Sequence, residues 1–275
     1  MTAATGMNLP LGVSLHMLDP DQRVDTIELL RGSSVRAIEL FEDSFEKSDS
    51  HVRKARQALA STGVEPRTIH ADFGPELDIS SPDAPTRSAG IHKIGAAIDL
   101  AARIGAAIVV IHSSSEPIIS AERGAKLAHA RNSIGSVAQL ARDAGCRLAV
   151  ELLPRTCLGN SADELLYLLE ALDPSAVGVC LDVNHLMDRF ASLPDVVHRL
   201  GSRLLALHIS DYDGIDEKHW LPMRGVIDWV AFLSALSRRG FAGPLNYEAH
   251  LNGQTPGERL ASLEANYAQL IALAQ

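Results

Sequence analysis

Aromatic residues are scarce in this chain of 275 residues, which has only 2 Trp, 4 Tyr and 6 Phe. Since 46% of the residues are still hydrophobic, the predicted core is built mainly from Ala, Leu, Ile and Val. Basic residues are outnumbered, with 25 Lys and Arg against 34 Asp and Glu, so the formal net charge is −9. This balance argues against a broad nucleic-acid-binding surface, which needs positive charge, although a local basic groove is still compatible with it.

Cysteines and long apolar runs are also few. The three cysteines, Cys146, Cys157 and Cys180, form no CxxC pattern, so we expect buried, reduced thiols. No run approaches the roughly 18 apolar residues of a membrane span. The first residues, MTAATGMNLPLG, lack the charged start and apolar core of a signal peptide. The sequence therefore predicts a soluble, cytoplasmic protein that does not contact a membrane.

Eight apolar, strand-like runs follow one another along the chain, and most of them precede a stretch with helical periodicity. The predicted strands are Leu11–Met17, Val35–Phe41, Arg67–Phe73, Ala107–His112, Arg147–Leu153, Val177–Val183, Leu204–Ile209 and Pro244–His250. The predicted helices are Asp19–Arg31, Ser48–Ser61, Pro85–Ile104, Ser120–Ala144, Ser161–Leu172, Pro194–Gly201, Asp228–Arg239 and Pro256–Ala274.

This alternation is typical of βαβ units and a parallel sheet. Eight such units in about 250 residues predict a (β/α)₈ TIM barrel, and no linker divides residues 1–275 into more than a single domain. A doubly wound open sheet is the competing architecture. It would favour a glycine-rich phosphate turn after the first strand, where this chain reads HMLDPDQ.

Four predicted strands carry an ionisable side chain at or near their carboxyl end, and these are Glu151, Asp182, His208 and Glu248. A buried ionisable group is costly unless it is paired or bound to a metal. Any one of them could be a buried ion pair or a capping residue, but four on successive strands, all on the predicted inner face, indicate one site at one end of the barrel. Three carboxylates and one imidazole suit Mn²⁺, Mg²⁺, Co²⁺ or Zn²⁺.

Short motifs at the same strand ends resemble those of the xylose isomerase-like TIM barrel superfamily, which holds sugar isomerases and epimerases, inosose dehydratases and family-2 apurinic endonucleases. The motifs are IELF with Glu39, IHADF, VVIHSSS, LAVELLP, LDVNH, HISD and HWLPMRGVIDW. The last is similar to the pattern H-x-P-x-G-x-G-x-I-D-W of that superfamily. Gly225, Ile227, Asp228 and Trp229 match it, whereas Met223 and Arg224 depart from it.

The resemblance implies that Glu151, Asp182, His208 and Glu248 hold one divalent metal ion. The ion would bind a carbonyl and a neighbouring hydroxyl of a sugar or polyol and stabilise the enediolate that forms when a proton leaves carbon. Glu151 and Glu248 would act as base and acid on opposite sides of that carbon. His185 resembles a substrate-contacting histidine of the isomerase and epimerase branch.

Further side chains are candidates for substrate binding. In the endonuclease branch, histidines matching His70 and His112 carry additional zinc ions, and Asp182, His185 and a histidine matching His219 are ligands. This chain departs from that branch at Glu217, where the branch has aspartate. For His70 and His112, substrate contact, an extra metal ligand and structural hydrogen bonding stay open. Two more candidates for substrate binding are Glu39, at a strand end, and Arg224, which could hold a substrate oxygen or phosphate.

The favoured hypothesis is a metal-dependent sugar isomerase or epimerase that acts by proton transfer on a small-molecule sugar or polyol. An inosose-type dehydratase would use the same metal and the same first proton abstraction. A zinc-dependent AP endonuclease-like phosphodiesterase and a non-catalytic sugar-binding barrel are the other hypotheses. No G-x-S-x-G elbow surrounds Ser113–Ser115, which argues against a serine nucleophile. A homodimer is the default expectation for the assembly.

Overall fold

Eight parallel strands form one nearly closed barrel in the computed structural model, which describes residues 9–273. Neighbouring strands pair in the order β7-β6-β5-β4-β3-β2-β1-β8. Between β7 and β8 the circle is completed by backbone hydrogen bonds, from Ile209 N to Asn246 O at 2.8 Å and from Glu248 N to Ile209 O at 3.2 Å. The strands are β1 Leu11–Ser14, β2 Val35–Phe41, β3 Glu65–His70, β4 Ile108–Ile111, β5 Arg147–Glu151, β6 Val177–Asp182, β7 Leu204–His208 and β8 Leu245–Tyr247.

The predicted (β/α)₈ TIM barrel is therefore confirmed. That residues 1–275 form a single domain stays a prediction. Residues 1–8, to which the prediction about a signal peptide mainly applies, lie outside the described residues. Ala274, the predicted end of the last helix, also lies outside them.

Helices fill the connections between the strands and cover the outside of the barrel. They are α1 Leu15–Leu18, α2 Val24–Leu29, α3 Asp49–Thr62, α4 Ala84–Ile104, α5 Ser120–Asp143, α6 Ala162–Leu168, α7 Leu193–Leu200, α8 Trp229–Arg239 and α9 Pro256–Ala272. Several helices begin at a side chain that caps the first turn, among them Ser161 and Asp228, which accept from backbone N–H groups. Gly240 ends α8 in a left-handed conformation, as predicted. Within residues 9–273, none of the helices has the length and apolar character needed to cross a bilayer.

The first βα unit differs from the prediction. The strand β1 ends at Ser14, and α1 begins at Leu15 instead of the strand running on to Met17. Asp19 ends α1, and its carboxylate accepts from Arg23 N at 3.2 Å and from Thr26 Oγ1 at 2.7 Å. These bonds hold the segment before Val24 as a loop, so α2 is shorter than the predicted helix Asp19–Arg31. Local side-chain hydrogen bonding to the backbone has replaced the first helical turns.

Small side chains fill the lower part of the barrel interior, where Ala149, Cys180 and Ala206 pack with Ile108 and Val110. The pairing of β6 with β7 shifts by one residue between Val179 and Cys180, which brings Leu205 into the same interior cluster. Above this apolar layer the inward-facing side chains become polar and lead up to the carboxyl ends of the strands. The interior is thus a packed core with its polar groups at one end, as this barrel architecture requires.

Gly178 on β6 is a position where the barrel tolerates no side chain. A Cβ there would collide with the carbonyl oxygen of Arg203 and with Leu205. We expect Gly178→Ala to lower the free energy of unfolding by about 1–3 kcal/mol, because the backbone of β7 would have to move. The control is Gly124→Ala on the exposed face of α5, where a Cβ meets nothing within 4 Å. It should raise stability by about 0.5–1 kcal/mol. Chemical denaturation measures both, and equal effects would contradict the prediction.

Candidate metal centre

Glu151, Asp182, His208 and Glu248 meet at the carboxyl end of the barrel. Each offers a ligand atom, and these four atoms all lie within 4.8 Å of one another. The first three end β5, β6 and β7, and Glu248 directly follows β8. His208 Nδ1 lies 2.9 Å from Glu248 Oε2 and 3.3 Å from Glu151 Oε1. The convergence that the sequence predicts is present in the structure, and such a cluster could hold a metal ion.

Asp182 has a buried oxygen that lacks a hydrogen-bond partner, and this suits a metal ligand. Its Oδ1 accepts from the backbone N–H groups of Asn184 at 2.8 Å and His185 at 3.3 Å. Its Oδ2 is buried and accepts no hydrogen bond. Burial raises the pKa of this carboxyl group, and His185 only partly offsets that. Since unpaired buried carboxylate oxygens are costly, the arrangement fits a site in which a cation supplies the missing partner.

His208 is held between carboxylates on both sides of its ring. Its Nε2 lies 3.0 Å from Glu39 Oε2, while Nδ1 faces Glu248 and Glu151. Burial alone would lower the pKa of His208, but the surrounding carboxylates raise it well above its usual value. The carboxylates therefore favour the protonated form of the ring, which would partly neutralise the cluster.

The carboxylate of Glu151 lies close to several histidine side chains. Its Oε2 lies 3.1 Å from His70 Nε2 and 3.1 Å from His112 Nε2, and its Oε1 lies 3.5 Å from His185 Nδ1. His70 Nδ1 also bonds to Ala71 O at 2.9 Å, so both ring nitrogens face acceptors. Burial would lower the pKa of His70, but the bond and charge of Glu151 raise it to about 9. His70, His112 and Glu151 also form a second group with metal-ligand spacing.

His185 and His219 lie on the other side of the same cluster. His185 Nδ1 bonds to Leu152 O at 2.9 Å, and its Nε2 lies 3.3 Å from Glu217 Oε2. His219 Nδ1 bonds to Glu248 O at 2.9 Å, which ties the β7–α8 loop to the end of β8. Both imidazoles are therefore oriented by backbone carbonyl groups, and Glu217 lies beside them.

A cavity of about 380 Å³ opens above the four-residue cluster. Glu151 and Glu248 line it, whereas Asp182 and His208 do not and lie beneath its floor. Phe73 forms part of one wall and stacks on His112 with ring centroids 3.9 Å apart. The lining also includes His70, His112, His185, His219, Glu116, Glu217, Arg155, Ser114, Ser115, Pro154, Leu153 and Cys157. The cavity thus has two carboxylates of the cluster at its base and imidazoles around them.

Two of the predicted substrate contacts lie elsewhere. Glu39 is fully buried beneath His208 and does not line the cavity. Arg224 is exposed, and its contacts are made by its backbone N–H, which donates to Leu221 O at 3.2 Å and to Asp211 Oδ2 at 3.1 Å. Neither residue lines the cavity, and their roles in substrate binding stay predictions.

The HISD and GVIDW motifs shape a loop. The buried carboxylate of Asp211 accepts from Ile227 N at 3.1 Å and from Trp229 Nε1 at 2.9 Å. A Cβ at Gly225 would collide with the carbonyl oxygen of Tyr212, which explains the glycine. Met223, which departs from the pattern, has φ +70°, a left-handed conformation that glycine adopts without strain. The motif therefore fixes the course of the β7–α8 loop.

Arg155 is a cavity residue that sequence reasoning missed. Its guanidinium bonds to Glu116 Oε1 at 2.9 Å, to Asp216 Oδ1 at 2.7 Å and to Glu217 Oε1 at 2.9 Å. It joins the loops that follow β4, β5 and β7 at the mouth of the cavity. The only available signal was its position in LPRTC, just after the strand that ends at Glu151.

Comparison with known proteins agrees with this geometry. The family model described as "Xylose isomerase-like TIM barrel" matches residues 25–271. The chain is 28% identical to the uncharacterized protein y4fM of Sinorhizobium fredii over 248 residues, 82% of this chain and 78% of that protein. It is 28% identical to a ketose 3-epimerase of Arthrobacter globiformis over 202 residues, 72% and 68% of the two chains. A solved structure of L-ribulose 3-epimerase superposes with a TM-score of 0.82 at 18% identity, covering 97% of this chain and 96% of the other. Since the family model spans most of the sequence, the chain belongs to the xylose isomerase-like TIM barrel family.

Proposed function

We propose that the protein is a divalent-metal-dependent isomerase or epimerase of a ketose or polyol, and that it acts by proton transfer. The observation that carries the proposal is the position of Glu151 and Glu248. Both belong to the buried four-residue cluster, and both also line the cavity. The ketose 3-epimerase of Arthrobacter globiformis, which is 28% identical over most of the chain, supports the same substrate class.

Glu151, Asp182, His208 and Glu248 would hold the cation, and Mn²⁺, Zn²⁺, Mg²⁺ and Co²⁺ all suit such a donor set. A bound cation would supply Lewis-acid polarisation of a substrate carbonyl group. His185 and His219, oriented by backbone carbonyls, would contact substrate hydroxyl groups at the same height in the cavity. His70 and His112 would hold the Oε2 atom of Glu151 in place.

Glu248 is the better placed of the two glutamates to accept a proton. Burial would raise its pKa, but the positive charge and hydrogen bond of His208 lower it to about 2, so it is ionised at neutral pH. Its Oε2 is engaged by His208, while the described hydrogen bonds leave Oε1 free toward the cavity. Both oxygens of Glu151 instead face imidazoles, and the pKa of His70 of about 9 keeps a proton beside it. Burial would raise the pKa of Glu151, but His208 and His112 lower it well below its usual value, so Glu151 is ionised as well. We assign Glu248 as base and Glu151 as the group that passes a proton from His70 to the opposite face of the carbon.

The charge of the cavity favours an uncharged substrate. Of the residues that line it, Arg155 is the one with a permanent positive charge, and three carboxylates already bind its guanidinium. Glu116, Glu151, Glu217 and Glu248 line the same space. Apart from the proposed ion and His70, a phosphate group would meet these carboxylates without a free Lys or Arg side chain, so a neutral polyhydroxylated molecule fits better. The same acidity disfavours a phosphodiesterase that acts on abasic DNA.

Removing a cluster carboxylate tests the metal site. We expect Asp182→Asn and Glu248→Gln to lower the affinity for Mn²⁺ or Co²⁺ at least about 100-fold. Mutating a residue that only supports a metal ligand costs up to about 100-fold in affinity, and loss of a ligand should cost at least as much. Both variants should keep the native circular dichroism spectrum. The matched control is Asp163→Asn, whose side chain is 78% exposed and away from the cavity. Metal content after dialysis, by elemental analysis, is the measurement, and wild-type-like retention in both variants would contradict the proposal.

Metal binding should release protons. Because the pKa of His208 is raised in the metal-free protein, Nδ1 carries a proton at neutral pH that a cation must displace. The apparent affinity should therefore rise with pH, about tenfold per unit for one displaced proton, and level off only above that raised pKa. Titration calorimetry in two buffers with different ionisation enthalpies measures the released protons. An apparent metal affinity that stays constant between acidic and neutral pH would contradict this prediction.

Hydrogen exchange at carbon tests the reaction itself. Incubation of the metal-loaded protein in D₂O with a panel of unphosphorylated ketoses should introduce one deuterium next to the carbonyl group of a productive substrate. Glu248→Gln should abolish this exchange, because the base is lost, and Glu151→Gln should abolish epimerisation, because no proton is delivered to the opposite face. Mass spectrometry gives the readout. Exchange followed by loss of water would instead indicate a dehydratase, and no exchange with any ketose would support a binding protein without catalysis.

A further inference from the structure

We infer that Glu39 is a positioning residue that fixes the tautomer and ring orientation of His208 and so selects Nδ1 as the metal-binding nitrogen. This inference rests on the proposed metal site and adds a residue to it. Glu39 lies on β2, on the far side of His208 from the cavity. It therefore acts on the metal centre through His208, without contact to substrate.

The Glu39 carboxylate is surrounded by hydrogen-bond donors from four other strands. Its Oε1 accepts from Ser14 Oγ at 2.6 Å and from Asn246 Nδ2 at 3.3 Å. Its Oε2 accepts from Thr68 Oγ1 at 2.9 Å and from His208 Nε2 at 3.0 Å. An ionised carboxylate has about four acceptor sites, so this one is fully used.

A carboxylate in this position determines which nitrogen of His208 carries hydrogen. An ionised carboxylate can only accept, so Nε2 must be the protonated nitrogen of the neutral ring. The lone pair is then on Nδ1, which points at Glu248 and Glu151, where the proposed ion would lie. A carboxylate behind a ligating histidine also increases the basicity of the ligating nitrogen.

The rest of the Glu39 environment explains why the ring cannot turn away. Asn246 also bonds to Ser14 Oγ at 3.1 Å, so the strands β1, β2, β3, β7 and β8 are connected through one polar layer. Glu39 has no exposed surface, and neither does Ser14. With the carboxylate fixed at two oxygens, His208 Nε2 has a single acceptor in a single place. The competing interpretation is that Glu39 only cross-links the strands, and the two interpretations differ in what they predict for metal binding.

Glu39→Gln and Thr68→Val separate these interpretations. The glutamine keeps the size of the side chain but removes the charge and places an amide that can donate toward Nε2. The valine removes a donor from the same oxygen of Glu39 and leaves both the carboxylate and its bond to His208. We expect Glu39→Gln to weaken Zn²⁺ and Mn²⁺ binding about 10–100-fold, as outer-shell carboxylates do. Thr68→Val should stay within about threefold of the wild type, even where it lowers the stability of the metal-free fold.

Three measurements complete the experiment. Competition with a fluorescent chelator gives the affinities for Zn²⁺ and Mn²⁺, and thermal unfolding in excess chelator gives the stability of each metal-free variant. In the zinc-loaded protein, ¹⁵N-histidine NMR should show a slowly exchanging Nε2–H of His208 in the wild type and in Thr68→Val. Glu39→Gln should lose this signal or its slow exchange.

Each outcome is decisive. If Glu39→Gln binds the ions as tightly as the wild type, or if Thr68→Val loses as much affinity, the positioning role of Glu39 is wrong while the metal site stands. If the wild-type protein itself binds neither ion, the proposed metal site fails and the inference fails with it. A loss of affinity confined to Glu39→Gln, with the matching NMR change, supports the inference.

Discussion

The mutual repulsion of buried carboxylates is the constraint on which the rest of this structure depends. Glu151, Asp182 and Glu248 offer oxygens within 4.8 Å of one another in a buried region. Like charges at such distances repel by about 4 kcal/mol per pair at an effective dielectric constant of 20. The protein offsets this repulsion with imidazolium groups at His208 and His70, whose pKa values are both raised. The Oδ2 atom of Asp182 accepts no hydrogen bond, so the proposed cation would complete the compensation.

The barrel makes this costly arrangement possible because its closed sheet fixes strand ends that are distant in sequence. Glu39, beneath His208, is anchored by hydroxyl and amide groups from neighbouring strands, and it supports the ring from below. The small residues Ala149, Cys180 and Ala206 occupy the layer under this polar region. The cluster therefore lies on strand ends that the closed sheet and this polar layer hold in place, as preorganised sites require.

The sequence predicted the fold and the four-residue cluster well, because both depend on simple patterns. Four strand runs carry an ionisable residue at or near their carboxyl end, and strand ends of a parallel barrel share one rim. The depth of Glu39 was not predictable, because alternation shows which face a side chain takes but not how far its neighbours extend above it. Arg155 was missed since its direction depends on a loop with φ +47°, which no periodic pattern encodes. The role of Arg224 in substrate binding stays a prediction, since its side chain is exposed and its backbone N–H bonds within the β7–α8 loop.

The residues of the candidate site form layers at different heights above the barrel floor, and each layer has its own part in the proposed function. The polar layer around Glu39 orients His208, the next layer holds the cluster, and the rim carries the loops joined by Arg155. Residues of the lower layers come from strands, whose backbone geometry leaves little freedom, whereas Arg155, Glu116 and Glu217 come from loops. Contacts of loop origin can change without moving the cluster, since the guanidinium of Arg155 binds carboxylates and no ligand of the proposed ion. In the proposed function, the chemistry would thus depend on residues held by the sheet, and the choice of substrate would depend on side chains at the cavity mouth.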